Sequence, residues 1–307
     1  MPPAATALEQ VRLSARAVRD GASVAREMVS RCADCRAAGL AEVFYTPGLA
    51  VAREVLGRAE FERLATLAND DGLVGTLDGI ECENLRNLGR LAGMLLDYEA
   101  VEAASPVLLG DAAVMLALYG SLAAYRARLF VVVPAGDLGR DARPAIEASL
   151  SAPASDFIVA RPGRLAGPLR QFSATVDAGG RTWRTPTREL LVMLLAARVG
   201  NPGSLPTPAR WPHLVTTLLA HGDTLDLGVV LDIADEAGLS GHVQRGLAVA
   251  CELAHELAEL LPEERLEIPW WERALALPIA ARRLLKESLV VAESTEAVVG
   301  EEVLADA

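Results

Sequence analysis

A chain of 307 residues, 51% apolar and 23% charged, has enough apolar side chains to build a core and reads as globular rather than disordered. Its 41 acidic against 29 basic residues give a formal charge of -12; that excludes a nucleic-acid binder, because phosphate backbones are neutralised by clustered Lys and Arg. Apolar runs such as Leu190 to Ala197 fall short of the roughly 20 residues that a membrane-spanning helix needs, and Arg12, Arg16 and Arg19 break up the first helical stretch, so neither a membrane span nor a signal peptide is expected. Four cysteines in so long a chain make no disulfide framework. In the cytosol, where the chain is expected to reside, they would be thiols or metal ligands.

Taken in order, residues 1–104 are helical in pattern. Apolar side chains recur every three or four residues in Val24-Met28-Val29, in Leu49-Val51-Val55-Leu56 and in Leu85-Leu88-Leu91-Leu95. Turn signals at Gly21, Pro47-Gly48 and Asn69-Asp70-Asp71-Gly72 separate the helices, the last of which is expected from Glu83 to about Glu102. The character changes at Ser105-Pro106. A short strand, Val107-Leu108-Leu109, meets a turn at Gly110-Asp111 and a helix from Ala112 to Tyr119. Leu129 to Val133 is the strongest strand signal, an apolar, β-branched run without a polar break. A helix near Ala142 to Leu150 and strands near Phe157 to Val159 and Phe172 to Val176 are expected next, with a hairpin turn at Asp177-Ala178-Gly179-Gly180 leading into Thr182-Trp183.

From Pro186 the pattern is helical again. Thr185 or Thr187 would cap a helix reaching Val199, and further helices are expected over Ala209 to Ala220, Leu227 to Ala237 and His242 to Leu261. Ile268-Pro269-Trp270-Trp271 precedes a last amphipathic helix that ends near Val291. The fold class is therefore α+β, predominantly helical, with a small mixed sheet. The expected organisation is a helical region 1–104, an α/β core 105–185, a helical region 186–291 and an acidic tail 292–307.

The words Asn84-Leu85-Arg86-Asn87-Leu88, Val107-Leu108-Leu109-Gly110-Asp111-Ala112-Ala113 with Tyr119, the strand Leu129 to Val133, and Trp183-Arg184-Thr185-Pro186-Thr187-Arg188-Glu189-Leu190-Leu191 carry a resemblance. With Trp211, Leu225-Asp226-Leu227 and Ala234 to Leu239, their order resembles a bacterial family of nucleotidyltransferase-like proteins in the polymerase-β-type superfamily, over roughly Cys32 to Leu260. The resemblance implies a nucleotide ligand with magnesium as cofactor.

The departures from that family are informative. Its members carry Lys-Gly at the turn after the first strand, where a helix N-terminus and a cation meet phosphate; here the turn reads Gly110-Asp111, either an altered anion contact or a helix cap. The superfamily holds magnesium on an Asp-x-Asp pair of the next strand, because a hard cation needs carboxylate oxygens on one strand face. Arg128 and Phe130 occupy those places, and Arg128 would hold phosphate directly or be an ordinary strand-edge charge. Gly120-Ser121 is similar to the family's Gly-Ser turn. Asp137 and Asp141 are four apart, the wrong spacing for alternate positions on one strand.

These features imply a nucleotidyltransferase fold with a degraded metal site, acting as a binding or scaffolding module for another protein or a small anionic ligand. The alternative is an active magnesium-dependent nucleotidyltransferase with Asp111, Asp137 and Asp141 as ligands. A third reading is a zinc-stabilised interaction protein. Cys32 and Cys35 are three apart and Cys251 and His255 four apart, so two helix faces would present three thiolates and an imidazole. His213, His221, His242 and His255, the only imidazoles, lie in no nucleophile motif. Trp or Leu exposed on the C-terminal helix would support homo-oligomers.

Overall fold

The computed structural model describes residues 3–31, 42–68, 72–96, 99–103, 105–127, 130–134, 157–159, 163–201 and 210–253. The protein is α+β and predominantly helical, and one hydrophobic cluster runs through helices and sheet alike.

The N-terminal helices are α1 (Pro3–Asp20), α2 (Ala22–Ser30), α3 (Glu42–Leu56) and α4 (Arg58–Leu67). Gly21 breaks α1 from α2 as its turn signal requires. Pro47-Gly48 does not make the expected turn, because α3 runs straight through it. Only one intrahelical bond is lost so near the start of a helix. Gly48 is a packing position: a Cβ there would lie 1.9 Å from Met28 Cε and 2.8 Å from Ser14 Oγ.

The long helix α5 spans Gly72–Leu96, beginning eleven residues before its expected start and ending six before its expected end. Its buried stripe is Leu73, Leu77, Ile80, Asn84, Leu88, Leu91 and Leu95, a continuous three-and-four spacing that extends upstream of the leucines that suggested the helix. A short α6 follows (Glu99–Ala103).

Five strands form one mixed sheet in the order β3-β2-β1-β5-β4. They are β1 (Pro106–Leu109), β2 (Phe130–Pro134), β3 (Phe157–Val159), β4 (Ser173–Ala178) and β5 (Arg181–Pro186). β1 pairs antiparallel with β2, placing Leu109 opposite Val131, and parallel with β5, placing Val107 opposite Arg184. β4 and β5 form the expected hairpin; its turn residues Gly179 (φ 60°) and Gly180 (φ 75°) both take the left-handed conformation that glycine adopts without strain.

Between β1 and β2 the chain makes α7 (Gly110–Val114), which continues as a π-helical turn over Met115–Tyr119 and ends at the left-handed Gly120. The sequence pattern predicted a regular helix there. Strand β2 runs through Pro134, and the expected helix at Ala142 to Leu150 lies outside the described residues.

After a turn of 3-10 helix and α8 (Ala166–Gln171), the C-terminal half contributes α9 (Arg188–Val199), α10 (Arg210–His221), α11 (Leu227–Ala237) and α12 (Ser240–Leu253). Thr187 is the residue preceding α9, yet its hydroxyl makes no cap, and Thr185 belongs to β5. Asp226 caps α11 through its carboxylate, which accepts the Val229 amide at 3.1 Å. Helix α10 packs on α1, and α9 is central, touching α10, α11, α12 and the π-helical turn. The N- and C-terminal helices thus close around the α/β centre. No described helix is long and apolar enough to cross a membrane.

Candidate functional site

Two neighbouring parallel strands, β1 and β5, each pass at their carboxyl ends into the start of a helix: β1 into α7 at Gly110, β5 into α9 at Arg188. Both helices therefore begin at the same end of the sheet, the place where open α/β sheets take ligands. Strand β2 starts there as well, since Phe130 bridges Gly110.

Asp111 sits in the first turn of α7, a position that complements the helix dipole. It is not the cap: the N-cap residue is Leu109, and no side chain caps this helix. The charges of Asp111 and Arg198 interact, Asp111 supporting the arginine's positive form while burial works more strongly against it. The Asp111 carbonyl accepts the Tyr125 hydroxyl at 3.0 Å. The Tyr125 ring stacks on His213 with centroids 4.8 Å apart. His213 in turn shares a 2.8 Å hydrogen bond between its Nδ1 and the Tyr119 hydroxyl. Helix α10 is thereby tied to the turn after β1 through an imidazole that stacks on Tyr125 and meets Tyr119 edge-on. The His213 carbonyl also accepts the Thr217 hydroxyl at 2.6 Å.

Burial sets the electrostatics of this cluster. His213 is 2% exposed, its Nε2 meets no hydrogen-bond partner, and desolvation lowers its pKa to about 3. Tyr119 and Tyr125 are pushed up by the same desolvation, offset at Tyr119 by a hydrogen bond from Thr216. A folded state that holds His213 neutral binds fewer protons than the unfolded chain between pH 6.5 and 3, so stability rises with pH across that window and falls on acidification. Each pH unit is worth up to about 1.4 kcal/mol. Urea titrations at pH 7 and pH 5 should show the wild type losing about 2 kcal/mol more than His213→Gln; equal losses would show that the imidazole is not held neutral.

Ser121 has a structural engagement. It is 3% exposed, its hydroxyl donates to Glu54 Oε1 at 3.1 Å and it accepts the Ala123 amide at 3.3 Å. It also follows the far end of the α7 and π-helical segment from Gly110-Asp111. Ten residues at about 1.5 Å each separate the two sites, so they cannot form one phosphate cradle. Glu54 belongs to a network around Arg53, which is 8% exposed and reaches Asp78 at 3.1 Å and Glu81 at 2.7 Å. Asn84, fully buried on α5, clamps the loop after Ser121: its Nδ2 donates to the carbonyls of Leu122 (2.7 Å) and Tyr125 (2.8 Å), and its Oδ1 accepts the Ala127 amide at 3.1 Å.

Arg128, Asp137 and Asp141 lie outside the described residues, as do Cys32, Cys35 and His255. Cys251 is buried on α12. Among the described residues no three His, Cys, Asp or Glu side chains are grouped as a metal would need. Sequence patterning passed over Tyr125, placed His213 in no motif and named Arg184 only within a resembled word. Each acquires its neighbours only through long-range pairing. No protein-family model, curated protein or solved structure matches the chain.

Proposed function

We propose that the chain is a binding or scaffolding module built on a nucleotidyltransferase-like α/β centre, holding an anionic ligand without transferring a nucleotidyl group. The observation that carries this reading is the composition of β2. Phe130, Val131, Val132 and Val133 offer no oxygen donor, and Phe130 and Val132 are fully buried. A divalent ion needs carboxylates on alternate residues of one strand face, and here both faces are apolar. The engagement of Ser121 by Glu54 supports the same reading. In it, Arg128, two residues before β2, supplies a cation where the resembled family has a metal ligand. The reading places the chain in the cytosol, where an exposed thiol such as that of Cys82 persists.

Incubating the protein with radioactive ATP and magnesium tests the proposal. No label is expected on the protein or on added acceptors. Magnesium-dependent labelling that disappears in Asp137→Ala or Asp141→Ala would instead establish an enzyme.

A further inference from the structure

Strand β4 lies at one edge of the sheet: among the described residues β5 pairs with one of its sides and no strand with the other. That pairing fixes which backbone groups are left over. The Thr187 amide donates to the Phe172 carbonyl, one step beyond the facing pair Ser173 and Pro186. Phe172 and Thr187 are therefore a hydrogen-bonded pair, and along an antiparallel ladder such pairs alternate with non-bonded ones. Ala174, Val176 and Ala178 accordingly turn their amides and carbonyls to β5, while Ser173, Thr175 and Asp177 turn theirs to the free side. Pro186, which has no amide to give, stands in a non-bonded position as that alternation requires.

A free edge of this kind is a template for another strand, and proteins usually protect it with Lys, Pro, a bulge or a very short strand. β4 is six residues long, contains neither Lys nor Pro, and exposes Ala174, Thr175 and Asp177; its register with β5 has no bulge. Its sequence is also self-complementary. A second copy related by a two-fold axis at Thr175 places the two Thr175 residues opposite each other and Ser173 opposite Asp177 of the second copy. All three outward residues are then engaged, each facing pair exchanging both its backbone bonds. Ala174 faces Val176, so polar meets polar, apolar meets apolar, and no like charges are opposed. Arg184 completes the match. No carboxylate of the described residues pairs with it, and its Nη2 is held at the Ser173 hydroxyl and, at 3.4 Å, at the Arg170 carbonyl. The Thr182 hydroxyl holds the Asp177 carboxylate on the same face of the sheet, so the incoming carboxylate arrives at the serine where a guanidinium is already fixed.

We propose that the protein forms a two-fold dimer in which β4 pairs with β4 of a second copy about Thr175, joining the two sheets into one. The dimer does not depend on what the α/β centre binds, so its failure and that of the reading above are separate results. A single strand pair makes a small interface of the weak, transient kind, for which a dissociation constant of about 10 μM is expected.

Sedimentation velocity of the full chain over a range of concentrations tests it, with dimer expected at the high end and monomer at the low. Thr175→Pro removes an outward amide, a change that an edge strand tolerates, and should leave monomer at about 100 μM. Should that variant fail to fold, Thr175→Lys, which sets like charges opposite each other across the axis, gives the same test. Asp177→Asn should weaken dimerisation about tenfold, the range of a charged hydrogen bond. Crosslinking reads the register. Facing residues of a bonded pair stand about 5.5 Å apart at Cα, within disulfide reach, so Thr175→Cys should give a covalent dimer on mild oxidation, above the level of the native chain with its exposed Cys82. Asp177→Cys, equally exposed but about 14 Å along the strand from its mate, should not. The proposal is overturned if the native chain is monomeric at about 100 μM, if Thr175→Pro and Thr175→Lys dimerise as wild type, or if the two cysteine variants crosslink equally.

Discussion

Replacing Gly246 by alanine is expected to destabilise the protein by about 3 kcal/mol or more, lowering Tm by about 10 °C. Gly246 lies inside α12 where that helix crosses α9. A Cβ there would stand 1.9 Å from the Ala196 carbonyl oxygen and 2.6 Å from its carbon, both backbone atoms that no rotamer change can move. The contact is reciprocal, since a Cβ at Gly200 would meet the His242 carbonyl oxygen at 1.9 Å and the Gly246 nitrogen at 2.5 Å. Helix propensity alone would make the same substitution stabilising by roughly 0.8–1 kcal/mol. The two effects have opposite signs, so a thermal melt decides between them. A Tm unchanged or raised would mean that α9 and α12 do not approach as described.

The second large effect belongs to Asn84. Alanine there removes three hydrogen bonds to the backbone and strands the carbonyls of Leu122 and Tyr125 and the amide of Ala127 in the interior. Each unsatisfied buried group costs about 1–3 kcal/mol, so a loss of about 4 kcal/mol is expected by urea unfolding. Asn84→Leu distinguishes the polar role from simple packing, because it restores volume but supplies no donor or acceptor. It should be nearly as destabilised as Asn84→Ala. Recovery by leucine to within about 1 kcal/mol of wild type would refute the clamp, on the scale of volume-conserving core substitutions. The clamped loop carries Tyr125, so this substitution should also loosen the link from His213 to Asp111.

Much of the local structure was legible in the sequence. The unbroken Phe130 to Val133 run became a buried strand, the paired glycines after Asp177-Ala178 became the hairpin turn, and the expected helix over Leu227 to Ala237 is α11. These features are local, and turn chemistry and hydrophobic period read them directly. The π-helical turn at Met115–Tyr119 was not legible, because over five residues its apolar pattern matches an ordinary helix. Pro47-Gly48 misled for a different reason: the dipeptide that usually breaks helices serves the close approach of Met28 and Ser14.

The candidate site was less legible than the fold. Gly110 and Asp111 do lie where two strands deliver two helices to one end of the sheet. Ser121, however, is drawn away to Glu54. Tyr119 and His213 meet across 94 positions of sequence, and Arg184 reaches β1 through a parallel pairing that no local period announces. Such contacts are fixed by topology and packing, which is why residue patterns pointed to the region but not to the side chains that fill it.

We propose that this α/β centre binds without transferring, because the strand that would carry a divalent ion is apolar. The most direct measurement is incorporation of label from ATP radioactive at the α-phosphate, in magnesium, into the protein and into candidate acceptors. The same background is expected with magnesium as with EDTA. Stoichiometric, magnesium-dependent incorporation into wild-type protein would contradict it.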